Sequence, residues 1–238
     1  MASLSTFPDG PRGRVPEMRN GYKFLRAAHH SVSGLLDAVG VVSAQRRASN
    51  ATTVGRLAGD EIDLLRAAIV FTSSGLDASM TRLVNDVARH LILLPRHTAA
   101  RGQYEGWIKT QMGGVVPEPL RTAVIAREPA EAVLRFYLAE RTKASFQGSG
   151  DLIARVRNAL GIPKNRVTDA TLKSLDPFFE ARNKIVHSMD FLDPENSAGS
   201  ARKSRSADEV ATLCDGVFTV ACDLMHATAE VMVAARRP

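Results

Sequence analysis

Apolar positions recur every three to four residues through most of the chain, the spacing of helices that each bury one face. Tyr22, Leu25, Val32, Leu36 and Val39 carry it between about Gly21 and Arg47. The longest run is Ile62, Leu65, Ile69, Leu76, Met80, Leu83, Val87, Leu91 and Leu94, which predicts a helix from about Asp60 to Leu94. A helix of that length is the expected scaffold for the rest. Ser73-Ser74-Gly75 interrupts it and predicts a kink. Pro95-Arg96-His97 ends it. Residues 95–128, which hold the only tryptophan, Trp107, read as an irregular insertion or cap with short helices at best. Pro129 suits the first turn of a helix reaching about Phe146. Gly148-Ser149-Gly150 breaks the chain, and Asp151 to Leu160 predicts a short helix ended by Gly161 and Pro163. Thr168 caps a helix that reaches Leu175 and runs into the next. Ser206-Ala207-Asp208-Glu209 is a capping-box signature. It opens a last helix with Val210, Leu213, Val217, Val220, Leu224 and Val231 facing inward.

These elements predict an all-α fold with one helical domain over 18–238. Residues 1–17, rich in Pro, Gly, Ser and Arg, read as a flexible arm. Residues 190–206, containing Arg202, Lys203 and Arg205, read as a mobile basic loop. The formal net charge of +6 suits a polyanionic partner. Cys214 and Cys222 lie eight apart on one predicted helix, too far for a bridge within it, so a reducing cytoplasm is expected. No Cys or His pairing has zinc spacing, and no carboxylate cluster suggests a divalent-metal site. No apolar run approaches the ~20 residues of a membrane span, and the N-terminus lacks an apolar signal core.

One stretch carries most of the functional information: Asp176-Pro177-Phe178-Phe179-Glu180-Ala181-Arg182-Asn183-Lys184-Ile185-Val186-His187-Ser188-Met189-Asp190. Asp176 is placed to cap a helix and Pro177 to occupy its first turn. Phe178, Phe179, Ile185, Val186 and Met189 form one apolar stripe at helical spacing, and Arg182 falls inside it. Asn183 and His187, four apart, share the flank beside that stripe. A cation aimed at the packed side is an odd feature for a plain core helix.

Arg182-Asn183-x3-His187 resembles the catalytic motif of the HEPN superfamily, in which an Arg, a polar residue and a following His share one helix. Among its branches the chain looks most like the RiboL-PSP group, on the strength of the long apolar helix. The resemblance implies a HEPN-like helical bundle and a metal-independent endoribonuclease without a cofactor, serving host defence or a toxin-type system. It also implies a homodimer whose two motifs share one cleft, and an antitoxin or defence-system partner protein. In that chemistry the ribose 2′-hydroxyl attacks phosphorus. Histidine suits the proton transfers, arginine the phosphorane charge, and asparagine the orientation of either. Arg182, Asn183 and His187 are therefore the candidate catalytic residues, and Lys184, Arg202, Lys203 and Arg205 the candidate RNA contacts. A Tyr two residues past the His, modified in another branch, is Met189 here.

The alternative is a catalytically inactive helical module that binds RNA or protein. Arg182 would then pair with a buried acid, such as Asp77 or Asp86 if the fold brings them near, and His187 would cap the helix end. His29 and His30 read as core or flanking histidines, and Arg96, His97, Arg101 and Lys109 as either phosphate contacts or solvated loop residues.

Overall fold

Helices form where the apolar spacing predicts them, and their ends differ where polar contacts decide. The computed structural model describes residues 3–11, 15–49, 57–196 and 201–237. After a 3-10 turn over Pro16–Met18 come α1 (Arg19–Ser49) and α2 (Gly59–Leu83). A π-helical turn over Val84–Ala88 joins α2 to α3 (Arg89–Leu93) without a break. The chain continues as α4 (Ala99–Met112), α5 (Glu118–Val124), α6 (Pro129–Thr142) and α7 (Ser149–Asp151), the last passing into a π-helical segment, Leu152–Arg157. Then follow α8 (Asp169–Lys173), α9 (Asp176–Ser188) and α10 (Ala207–Arg236). No strand occurs among the described residues, only an isolated antiparallel bridge between Phe191 and Arg202. The fold is all-α.

The two long helices α1 and α2 run antiparallel. Gly21 lies against the backbone of Ser79 and Leu83, Ala28 against Gly75, and Ser43 donates to the Glu61 carboxylate. Leu25, Val32, Leu36 and Val39 of α1 meet Leu65, Ile69, Leu76, Met80 and Leu83 of α2 in one buried core. α10 adds Val217, Phe218, Leu224 and Met225 to that core, and α9 adds Phe178, Phe179 and Ile185. Their aliphatic and aromatic area, removed from water, is the main source of stability. Leu120, Ala123 and Val133 form a smaller cluster with Trp107 and Tyr104 against it, linking α4, α5 and α6.

Four sequence expectations change here. Ser73-Ser74-Gly75 lies inside uninterrupted helix, and the irregular turn comes instead at Val84–Ala88. Gly75 serves close approach, since it leaves room for Ala28 on the facing helix. The stretch 95–128 is more regular than expected, because Thr98 caps α4 by accepting from the Arg101 amide at 3.1 Å. The N-terminal stretch, expected to be flexible, is docked over residues 3–11. Asp215 accepts from the Ser5 amide at 3.0 Å, Tyr22 donates to the Pro8 carbonyl at 3.1 Å, and Phe7 packs edge-on to Phe218. Finally, α10 contains an 18-residue segment of mean hydropathy 1.4, apolar enough by length and composition to cross a membrane. In this fold 61% of that apolar segment is buried inside the bundle.

Candidate functional site

α9 begins at Asp176 with Leu175 as its N-cap, so Asp176 stands one place inside the position the sequence suggests and Pro177 is still in the first turn. Phe178, Phe179, Ala181 and Ile185 are buried. Val186 is 45% exposed and Met189 57% exposed, contrary to their expected place in the core. The reason is positional. The core covers the stripe through its first half and at Ile185, and leaves its last turn open. Arg182, Val186 and Met189 therefore form an uncovered continuation of an apolar stripe with a cation inside it.

Arg182 and Asn183 are half-buried and His187 is exposed. An Arg182 Nη donates to Asn183 Oδ1 at 3.0 Å. Among the described residues no carboxylate stands within ion-pair distance of Arg182. The acids proposed for it are engaged elsewhere. Asp77 accepts from the Phe146 amide at 2.9 Å, and Asp86 pairs with Arg82 at 3.0 Å, one turn away on the same helical run. His187 has no hydrogen-bond partner among the described residues. Helical geometry puts Asn183 about 40° from His187 around the axis and Arg182 about 140° from it. Asn183 thus stands between cation and imidazole.

The candidate RNA contacts divide. Lys184 is exposed and paired with Glu180 at 2.7 Å, and its hydrogen bond and charge hold the Glu180 carboxyl below its usual range. Lys203 is also exposed, 4.0 Å from Glu209. Arg202 is committed to the fold: its Nε donates to the Met189 carbonyl at 2.7 Å, and a terminal nitrogen meets Asp63 at 3.0 Å. Arg205 is buried and cannot reach an RNA backbone. Its fork grips Asp190 through two hydrogen bonds, of 2.6 and 2.9 Å. The expected mobile loop is accordingly anchored on both sides of 197–200, the part outside the described residues.

Asp190 was not among the candidate residues and is the centre of this anchoring. It is 2% exposed. Besides Arg205 it meets Arg66 Nε of α2 at 3.3 Å, and Arg66 also donates to Asp63 at 2.7 Å and to the Lys203 carbonyl at 2.8 Å. Burial opposes ionisation of Asp190, but hydrogen bonds and charge from Arg205 and Arg66 outweigh it and hold the carboxyl below its ordinary pKa. Removing one partner from such a buried pair costs roughly 3–5 kcal/mol. Met189 and Asp190 both have left-handed backbone, with φ of 50° and 63°. That conformation costs a non-glycine residue about 1–2 kcal/mol. Asp190 lies just past the motif and Arg205 just before the capping box, but nothing in the spacing pairs them with Arg66, more than a hundred residues earlier.

Cations of the 95–128 stretch serve internal contacts too. Arg96 donates to the carbonyls of Ala234 and Arg237 at 3.2 and 3.0 Å, closing the end of α10, while His97 and Arg101 both meet Glu105. Among the described residues no group of three or more His, Cys, Asp or Glu side chains is placed to hold a metal ion. A concavity of about 660 Å³ lies along the C-terminal half of α10 between Arg166, His226, Glu230 and Arg237. It contains no motif residue and stands at the opposite end of α10 from Asp190 and Arg205. The motif residues lie instead on the open flank of α9. No protein-family model, curated protein or solved structure matches the chain.

Proposed function

We propose that the protein is a metal-independent endoribonuclease of HEPN type. The observation that carries this reading is Arg182 on the open flank of α9, without a carboxylate partner among the described residues, beside Asn183 and the exposed His187. A half-buried arginine left unneutralised is ready for an external anion, and its planar fork matches the oxygens of a phosphate. His187 supplies proton transfer to the 2′-hydroxyl or the 5′-oxygen. Asn183 stands between the two around the helix axis and accepts a hydrogen bond from the guanidinium. Lys184 and Lys203 add exposed positive charge nearby for the backbone of an RNA strand.

In-line displacement calls for a base and an acid on opposite sides of phosphorus, and α9 offers one histidine. A homodimer about a two-fold axis beside α9 supplies the second. The uncovered Val186 and Met189 give such an interface an apolar centre next to the motif. A role in host defence or as a toxin, with an antitoxin or defence-system partner in the cytoplasm, belongs to the same proposal. The competing reading, a catalytically inactive binding module, draws on the absence of any described hydrogen bond that orients His187.

The test is incubation of purified protein with mixed RNAs in EDTA, followed by end-group analysis. Expected products carry a 2′,3′-cyclic phosphate and a free 5′-hydroxyl, and DNA or RNA with a 2′-O-methyl at the cut site is bound but uncut. His187→Ala abolishes cleavage and keeps RNA affinity. A 5′-phosphate product, or activity that EDTA removes and magnesium restores, refutes the assignment.

A further inference from the structure

We infer that Asp190 is a positioning residue for His187, acting through a buried clamp that ties the last turn of α9 to α2. His187 occupies the penultimate position of α9, where helices fray unless their ends are held. Its own side chain has no hydrogen-bond partner among the described residues. What fixes its backbone is the chain that follows. The Met189 amide donates to the Ile185 carbonyl at 2.9 Å, and the Asp190 amide reaches back to the Lys184 carbonyl at 3.1 Å. The first is the last ordinary helical bond, and the second depends on the left-handed turn at Met189, a conformation that Met189 does not favour by itself. The clamp imposes it. Arg205 grips both Asp190 oxygens, Arg66 takes one of them from α2, and Arg202 holds the Met189 carbonyl. The Lys203 amide donates to the Asp190 carbonyl at 2.8 Å, so backbone and side chain of Asp190 are both fixed.

The consequence is a division of labour along one helix. Arg182 stands three residues before Ile185, whose side chain belongs to the core, so its position is set by packing. His187 lies beyond the packed part, and its distance from Arg182 is set by the clamp. Loss of the clamp lets the turn 187–190 open while the first part of α9 stays in place. A histidine displaced by an ångström from the line of displacement loses rate rather than substrate affinity. This inference rests on the ribonuclease reading for its kinetic half and stands apart from it for its structural half.

Asp190→Asn tests it, since asparagine keeps the shape and tolerates left-handed backbone while removing the charge. Arg202→Ala, which deletes the bond to the Met189 carbonyl and leaves the buried pairs, is the milder companion. Two readouts are taken on each full-length variant: amide hydrogen exchange by NMR, and steady-state cleavage of a defined RNA in EDTA. In Asp190→Asn, exchange at the amides of Met189, Asp190 and Lys203 is expected to quicken selectively against α1 and the middle of α10. The kcat is expected to fall on the order of 10- to 100-fold with KM unchanged. Arg202→Ala shows the same pattern, smaller, and decides the matter if Asp190→Asn does not fold. Wild-type kcat in a variant whose last turn exchanges freely overturns the positioning role. Uniformly faster exchange across all helices overturns it also, because Asp190 is then a general stabiliser. If the wild type cuts no RNA, the ribonuclease reading fails, and selective exchange at 189–190 still decides whether the clamp exists.

Discussion

Gly75→Ala should destabilise the protein, although alanine is the better helix former. A Cβ built at Gly75 lies 2.1 Å from the Ala28 Cβ and 3.5 Å from the Ala28 Cα. Carbon atoms in good contact stand about 3.5–4.0 Å apart, so α1 and α2 must separate by about 1.5 Å at this crossing. Neither atom can rotate away, because both are Cβ atoms fixed to helical backbone. The neighbours Leu25, Val32 and Leu76 are buried, so the separation loosens their contacts as well. Overpacking of this kind costs about 1–3 kcal/mol, and a clash this deep belongs at the upper end or beyond. The helix propensity gained is about 1 kcal/mol. The net loss is about 2 kcal/mol, which for a chain of this size lowers Tm by about 4–8 °C. Gly34 is the control. Nothing stands within 4 Å of its would-be Cβ, so Gly34→Ala should raise Tm by about 2–4 °C. Thermal melts of Gly75→Ala, Ala28→Gly and the double variant complete a cycle, in which the second change relieves the first by about 2–3 kcal/mol. A Gly75→Ala protein that melts at or above the wild-type temperature, with Gly34→Ala behaving as stated, refutes the close-approach argument.

Arg182→Ala should abolish RNA cleavage with stability changed by no more than about 0.5 kcal/mol, because no described carboxylate is left behind; a fall of several degrees in Tm would reveal a buried partner. Sedimentation at micromolar concentration should show a dimer in the wild type and monomer in Val186→Asp, since a charge would enter the apolar centre of the interface; dimer in both places the interface elsewhere. Asp190 has a depressed pKa in the folded state, so its stabilisation is full above the unfolded value of about 3.9 and is lost as pH falls through the folded one. Urea titrations of wild type and Asp190→Asn should therefore differ at pH 7 and converge in acid below about pH 3.9; a constant difference down to pH 2 contradicts the charge as the cause. Burial pushes the thiols of Cys214 and Cys222 up to about 12. Their contribution is full below the model-peptide value of about 8.5 and is lost as pH rises through 12, so a thiol reagent at pH 8 should label neither until denaturant is added.

The helical architecture was readable because each long helix keeps its apolar stripe through many turns. α1, α10 and the unbroken run of α2, the π turn and α3 form within a few residues of the expected bounds. α4 was hidden because Gly102, Gly106 and its polar neighbours dilute the stripe, leaving Ala100, Tyr104, Trp107 and Ile108 to face the protein. The π turn at Val84–Ala88 leaves no mark on composition. At the candidate site, periodicity put Arg182 within the stripe but could not show where the covering core ends. That is why Val186 and Met189 were expected in the core and lie in the open. The loop cations were misjudged for a related reason. Arg202 and Arg205 look like any solvated basic pair until the fold brings Asp190, Asp63 and Arg66 to them, and no local rule anticipates contacts across so much chain.

The docked N-terminal segment constrains the order of events during synthesis. Ser5 binds Asp215, and His226 meets the Asp9 carbonyl at 3.1 Å, so residues 5–9 find their seat on a helix made some two hundred residues later. At about 5–20 residues per second, roughly 10–40 s pass before that seat exists. Throughout that interval neither Phe7 nor His29 has Phe218 to pack against. Completion of α10, rather than emergence of any earlier helix, is the moment at which residues 5–9 can dock and the bundle closes.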